Sequence, residues 1–180
     1  MDSNSLEKLK YPVGKFSIPE TVDQNTIQQW IHDLEELPQK LRDAVKGLDE
    51  EQLNTPYRPS GWTVRQLVHH IDDSHLNSYI RFKLALTENN PTIKAYDQEK
   101  WANLEEYDSL LIEDSLNFVE SLHKRWIILL RTLKDSDWEK IFFHPEIKRS
   151  VTLKKNLGIY AWHNKRHVAH ITSLRERNNW

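Results

Sequence analysis

Four long stretches of the chain carry apolar side chains at a helical spacing. They cover roughly residues 26–47, 64–87, 109–133 and 152–177. Within each stretch apolar residues recur every three or four positions, which places them along one face of an amphipathic helix. The pattern therefore predicts an all-α protein built on four long helices.

Individual residues indicate where two of these helices begin and where a third is interrupted. Thr63 and Gln66 form a T-x-x-Q capping box directly before the second apolar stretch. Thr152 has the character of a cap for the fourth helix. Pro38 lies inside the first helical pattern, and we expect a kink or a break there because proline has no N–H to donate.

The segments between the helices are long. Residues 11–21 contain two prolines and a glycine, which is typical of an extended arm, and residues 88–108 form a connection with a short helical piece near Trp101. A second irregular stretch carries Trp138 and Pro145. A helix of about 25 residues is roughly 35 Å long, and a 14-residue linker can reach about 45 Å. A four-helix bundle with long crossover connections is therefore as compatible with the chain as a simple up-and-down bundle.

Composition narrows the class of protein. The 180 residues are expected to form a single domain spanning residues 1–180. A net charge of −2 gives no sign of a nucleic-acid or membrane partner. Cysteine is absent, so thiolate ligands and disulfides are excluded. The first residues lack an apolar signal core and no apolar run approaches membrane-spanning length, so we expect a cytoplasmic protein.

The fourth helical stretch carries the most informative chemistry. His163, His167 and His170 are spaced by four and three residues, so a helix places them in one narrow stripe on its apolar side. Burying three imidazoles is costly unless their nitrogens find partners, and a metal ion is the simplest partner. Three ligands from one straight helix span about 10 Å, too far to converge on one ion. A further ligand is therefore expected from a facing helix.

The second helix offers His69, His70 and His75 as that further ligand. Helical rotation turns His69 away from the apolar side and favours His75 slightly over His70, without deciding between them. Histidines at i and i+4 have a known ligand spacing. A single inward histidine, however, is more often a hydrogen-bonded core residue.

Two segments of the chain resemble a known family. "GWTVRQLVHHIDDSHLNSYIRFKLALTE" and "YAWHNKRHVAHI" are together similar to the DinB/YfiT-like family of metal-dependent proteins, and "YPVGKF" and "TPYRPSGW" resemble its YfiT branch. The resemblance covers nearly the whole chain. It implies a four-helix bundle with long crossover connections, a homodimer, and a metal site formed by His70, His163 and His167. His170 would then be a neighbour of the site. Asn164, Lys165 and Arg166 lie between the two C-terminal ligands, and helical rotation is expected to turn all three away from the ligand stripe.

Three neutral imidazoles leave the charge of a bound ion uncompensated. Such a centre can bring bound water to a pKa near 7 or hold a thiol as its thiolate. Zn²⁺ is the first choice and Ni²⁺ is plausible, with one ion per subunit. The resemblance implies a metal-dependent hydrolase that acts on a small-molecule substrate. The alternatives are a metal-dependent S-transferase for a low-molecular-weight thiol of the bacillithiol type, and a non-catalytic metal- or ligand-binding bundle.

The general acid or base is not identified by a motif. The H-E-x-x-H pattern is absent, because Asn164 occupies the place of its glutamate. Asp72 and Asp73 project away from the apolar side and are interpreted as solvated surface charges. The connection over residues 89–108 is either a lid over the metal or a packed crossover loop. The full set of candidate acids and bases is Asp72, Asp73, Tyr79, Asp97 and Glu99.

Overall fold

The computed structural model describes residues 3–180, with side chains from Ser5 onward. The described residues form eight α-helices, one 3-10 helix and two strands. In chain order these are α1 (Ser3–Lys10), α2 (Gln24–Val45), α3 (Glu50–Leu53), α4 (Val64–Thr87), α5 (Gln98–Trp101), α6 (Glu106–Ser109), α7 (Ile112–Arg131), the 3-10 helix (Asp135–Glu139), β1 (Ile141–His144), β2 (Arg149–Thr152) and α8 (Leu153–Asn178). None of the described helices is both long and apolar enough to cross a membrane.

The four long helices α2, α4, α7 and α8 form the bundle. Helix α2 packs against α7 and α8, and α4 packs against the same two helices from the other side. Helices that follow one another along the chain therefore lie diagonally opposite in two of three cases, namely α2 with α4 and α7 with α8. The predicted all-α four-helix bundle with crossover connections is confirmed.

Two of the long helices, α4 and α8, begin directly after the residues that were predicted to cap them. The Thr63 hydroxyl accepts from the backbone N–H of Gln66 at 3.1 Å, and the Gln66 side chain accepts from the N–H of Thr63 at 3.0 Å. Thr152 likewise accepts from the backbone N–H of Lys155 at 3.2 Å. These contacts satisfy donors that have no partner within the helix. Both predicted caps are confirmed.

Helix α2 continues through Pro38, so of the two expected outcomes, a kink or a break, the break is wrong. In a regular helix the N–H of residue 38 would donate to the carbonyl of Leu34, and proline cannot do so. The Leu34 carbonyl instead accepts from Nδ1 of His123 on α7 at 2.7 Å. A side chain of the neighbouring helix thus replaces the lost backbone bond.

A small antiparallel hairpin precedes α8 and was not predicted. Its strands β1 and β2 pair in the register Phe142 with Val151, and both of these side chains are buried. Strands of four residues give too short a pattern for alternation to be recognised. Because β2 ends at Thr152, the cap of α8, the hairpin fixes where the histidine-bearing helix begins.

Helices α2 and α8 approach closely at Gly158. A Cβ atom added there would lie 2.8 Å from the ring of Trp30. We therefore expect Gly158→Ala to lower the free energy of unfolding by about 1–3 kcal/mol, the usual cost of overpacking. Urea unfolding measures this, with the exposed Lys155→Ala on the same helix as a control. A gain in stability of about 0.5–1 kcal/mol, as helix propensity alone would give, would contradict the account.

Candidate metal centre

Three histidines from two helices converge on one point. His70 lies on α4, and His163 and His167 lie one turn apart on α8, which packs against α4. Nε2 of His163 is 3.3 Å from Nε2 of His70 and 3.0 Å from Nε2 of His167. One ring nitrogen from each residue lies within 4.8 Å of the other two.

These separations fit a common metal ligand set. Two nitrogens bound 2.0–2.1 Å from a tetrahedral ion lie about 3.3 Å apart. The two short nitrogen–nitrogen distances at His163 match that value to within a few tenths of an ångström. Zinc sites with three protein ligands keep a further position for water or substrate.

The three imidazoles are held in their neutral form. Burial, with a contribution from the charge of Arg166, lowers the pKa of His70 to about 3. Burial also lowers the pKa values of His163 and His167 well below the usual range, and the neighbouring histidines add to this. Each ring therefore offers a nitrogen lone pair near neutral pH, as a metal ligand must.

A second set of contacts extends from His163 across the bundle. Its Nδ1 lies 3.4 Å from Nε2 of His75, and Nδ1 of His75 lies 2.9 Å from Nε2 of His123. Nδ1 of His123 in turn lies 2.7 Å from the carbonyl oxygen of Leu34. A chain of three histidines thus connects the candidate centre to the backbone of α2.

The protons along this chain are fixed by its last member. The Leu34 carbonyl can only accept, so Nδ1 of His123 donates and its Nε2 accepts from His75. His75 then carries its proton on Nδ1 and accepts at Nε2 from Nδ1–H of His163. The lone pair of His163 consequently lies on Nε2, the atom that faces His70 and His167. Because Pro38 leaves the Leu34 carbonyl free, the proline in α2 helps to set the tautomer of a histidine on α8.

Two cavities share His163 as a lining residue. A cavity of about 240 Å³ is lined by His70, His163 and His167, and a larger one of about 580 Å³ also reaches His163. Both are bordered by Gln98 and Glu99 at the start of α5. Part of the connection between α4 and α7 therefore lies beside the histidines, and its role as a lid over a metal stays a prediction.

Among the residues whose side chains the structure describes, Glu99 is the one carboxylate that lines the smaller cavity. The indole Nε1–H of Trp62 donates to its Oε2 at 3.0 Å. The Trp62 ring also packs on His70, with ring centroids 4.5 Å apart. Trp62 therefore contacts both the Glu99 carboxylate and the candidate ligand His70, and holds the two side chains close to each other.

The other candidate acids and bases lie elsewhere. Asp97 lines only the larger cavity, and Tyr79 lines neither. The expectation that Asp72 and Asp73 are solvated is wrong, because both are half-buried. Burial, with the charge of Asp73 nearby, raises the pKa of Asp72 to about 7, and Asp73 accepts from the hydroxyl of Tyr107. The crossover segment covers this face of α4, and the helical pattern gave no sign of where that segment lies.

The remaining histidines occupy separate positions. His69 was expected to face outward, but it is fully buried and contacts the Ser115 hydroxyl at 2.7 Å. His170 contacts the Lys10 carbonyl at 3.1 Å and stacks on Tyr57, outside the cluster of three. His75 contacts His163 through its Nε2 and is likewise outside that cluster.

Arg58, Arg166 and His123 contribute to the site but were not predicted to do so. Arg166 was expected to turn away, yet it lines the smaller cavity with the three histidines. The arginine is long enough to reach that cavity even though its Cα lies off the ligand stripe. His123 falls four positions after Val119 and three before Trp126, both core residues of α7, so its inward direction was visible in the sequence.

Fold and site together define a four-helix-bundle protein with a three-histidine candidate metal centre. Residues 33–171 match the sequence profile of the DinB superfamily, and the chain belongs to this family. The resemblance drawn from its two histidine segments is confirmed.

Individual relatives cover almost the whole chain. A Bacillus cereus (strain 03BB102) protein named "Putative metal-dependent hydrolase" is 54% identical over 97% of this chain and 100% of its own length. A Bacillus anthracis (strain CDC 684 / NRRL 3495) protein of the same name is 53% identical over the same shares. The solved structure of YfiT from Bacillus subtilis is 47% identical, with a TM-score of 0.93 over 96% of this chain and 99% of that one. YfiT is described as "a probable metal-dependent hydrolase with an unusual four-helix bundle topology".

Proposed function

We propose that the protein is a metal-dependent hydrolase of a small-molecule substrate, with Zn²⁺ or Ni²⁺ held by His70, His163 and His167. The observation that carries this proposal is the convergence of three neutral imidazole nitrogens at the wall of a cavity. The bound ion would supply Lewis-acid chemistry, polarising a substrate oxygen and lowering the pKa of water. The names of the relatives support the same class of reaction.

Glu99 is the general base in this proposal. A hydrolytic step needs a group that takes a proton from the attacking water and returns it to the leaving group. The carboxylate-bearing residue Glu99 lines the cavity that holds the three histidines. The hydrogen bond from Trp62 occupies its Oε2 and leaves Oε1 free to accept a proton.

Metal removal and replacement test the proposed activity. Zinc-loaded protein should hydrolyse members of a panel of nitrophenyl esters and amides, lose this turnover with a chelator, and regain it with added Zn²⁺. His163→Ala prepared in the same way excludes a contaminating hydrolase. Turnover that persists equally in His163→Ala or in the presence of chelator would contradict the proposal.

The meeting of two cavities at His163 favours thiol S-transfer as the second candidate. Separate cavities allow a thiol and an electrophile to be held on either side of the ion. The thiol would lose its proton to Glu99, and the sulfur would form a bond to the electrophilic carbon as the leaving group departs with its electron pair. Consumption of a model electrophile that needs both Zn²⁺ and added thiol would identify this reaction instead of hydrolysis.

The histidine chain should strengthen metal binding. His123→Phe removes the acceptor for His75, so the tautomer of His163 is no longer imposed, and zinc affinity should fall by about 10–100-fold. Competition with a chromophoric chelator measures the affinity, and His144→Phe on the hairpin is the control.

Nitrogen-15 NMR of the imidazoles separates this effect from a general loss of structure. In wild type, His163, His75 and His123 should all carry their proton on Nδ1. An Nε2–H tautomer at His75 or His123 in the wild-type protein, or unchanged zinc affinity in His123→Phe, would contradict the role of the chain.

A further inference from the structure

The smaller cavity beside the three histidines carries an excess of positive charge. Arg58 and Arg166 line its wall, and Glu99 is the one carboxylate there among the side chains that the structure describes. A divalent ion at the histidines would add to this positive charge. The arrangement attracts an anion and disfavours a cation.

Arg166 is positioned without an acidic partner. Its Nε donates to the carbonyl of Lys10 at 3.1 Å, and its guanidinium lies over the rings of Tyr11 and Trp162, 5.1 and 5.2 Å from their centroids. Among the residues whose side chains are described, no carboxylate forms an ion pair with it.

Arg58 is held in the same way. Its Nε donates to the Tyr57 hydroxyl and its Nη1 to the carbonyl of Pro59, each at 3.1 Å, and the guanidinium lies 5.2 Å from the centroid of the Tyr57 ring. Neutral oxygens and aromatic faces orient both arginines but do not cancel their charge. Buried Arg65, by contrast, pairs with the carboxylate of Glu50.

We propose that Arg58 and Arg166 form an oxyanion-binding site that recognises a carboxylate or phosphate group on the substrate. Guanidinium groups match such anions through paired hydrogen bonds, and their fixed side chains lose little freedom on binding. Resting on the metal-dependent function proposed above, this site would orient the substrate so that the bond to be cleaved lies at the three histidines. The remainder of the substrate would extend past His163 into the larger cavity.

Anion titrations of the metal-free and zinc-loaded protein test the site. Acetate and inorganic phosphate are the two probes, with binding followed by the indole N–H signals of Trp62 and Trp162 at constant ionic strength. Saturable binding of at least one probe is expected, and Arg166→Gln and Arg58→Gln should each weaken it about tenfold. Arg149→Gln is the matched control, because Arg149 is exposed and lines neither of the two cavities, and it should change the affinity less than twofold. The tighter probe identifies the anionic group as carboxylate or phosphate.

The outcomes separate this site from the metal-dependent function. Binding that depends on the arginines in metal-free protein supports the anion site even if zinc fails to bind. Absence of saturable binding, or equal binding by wild type and both glutamine variants, overturns it even if zinc-dependent hydrolysis is found. Equal weakening by Arg149→Gln also overturns it, because general surface charge would then explain the result.

Discussion

Replacing His70 with alanine is expected to abolish tight zinc binding, with a loss of affinity of more than about 100-fold. Losing the hydrogen-bond partner of a ligand already costs about 10–100-fold, and losing a ligand costs more. Two imidazoles from one helix turn would remain, and they form an incomplete site. Chelator competition and metal analysis of the purified variant measure the effect.

The adjacent histidine provides the matched control. His69 is buried on the same helix but contacts Ser115 instead of the cluster. His69→Ala should therefore keep zinc affinity within about threefold of wild type, whatever it does to stability. Full zinc retention in His70→Ala together with loss in His75→Ala would contradict the ligand assignment.

Glu99→Gln is expected to lower kcat/KM of the zinc-loaded enzyme by about 10²–10⁴-fold, the usual contribution of a positioned general base. The amide still offers an oxygen to the indole N–H of Trp62, so the local geometry should be kept. Steady-state kinetics measures the loss, and metal analysis should show an unchanged zinc content.

Asp97→Asn is the control for this variant. Asp97 lies two residues away, lines only the larger cavity and caps α5 through the backbone N–H of Lys100. Asparagine can cap equally well, so kcat/KM should change less than about threefold. A similar loss in both variants, or none in Glu99→Gln, would remove Glu99 from the role of base.

The bundle could be predicted because its signals are local. Periodicity over 20 or more residues and the caps at Thr63 and Thr152 determine where helices form, whatever lies around them. The hairpin at residues 141–152 could not be predicted because its strands are too short to show an alternating pattern. The continuity of α2 through Pro38 could not be predicted either. The hydrogen bond that replaces the missing backbone bond comes from His123, 85 positions further along the chain.

The site could be predicted only in part, for a geometric reason. His70 and His75 are five residues apart, a rotation of about 140° on α4, so they face different neighbours. His70 faces α8 and meets His163, whereas His75 also reaches His123 on α7. Periodicity identifies an inner face but not which helix lies opposite each part of it. Family resemblance, not periodicity, favoured His70.

The crossover segments explain the other differences. Tyr107 of α6 donates to Asp73 and also packs on His69, with ring centroids 5.1 Å apart, on a face that helical rotation alone assigns to solvent. Arg58 and Glu99 reach the histidines from connections between helices. Such long-range placement depends on tertiary packing, which single-helix patterns do not contain.

The most direct measurement is a crystal structure of the zinc-loaded protein with anomalous diffraction recorded at the zinc edge. The account predicts one anomalous peak per chain, about 2.0–2.1 Å from Nε2 of His70, His163 and His167, with a further coordination position facing the cavity. A peak between His75 and His123, or a zinc ion that lacks any one of the three named ligands, would contradict it.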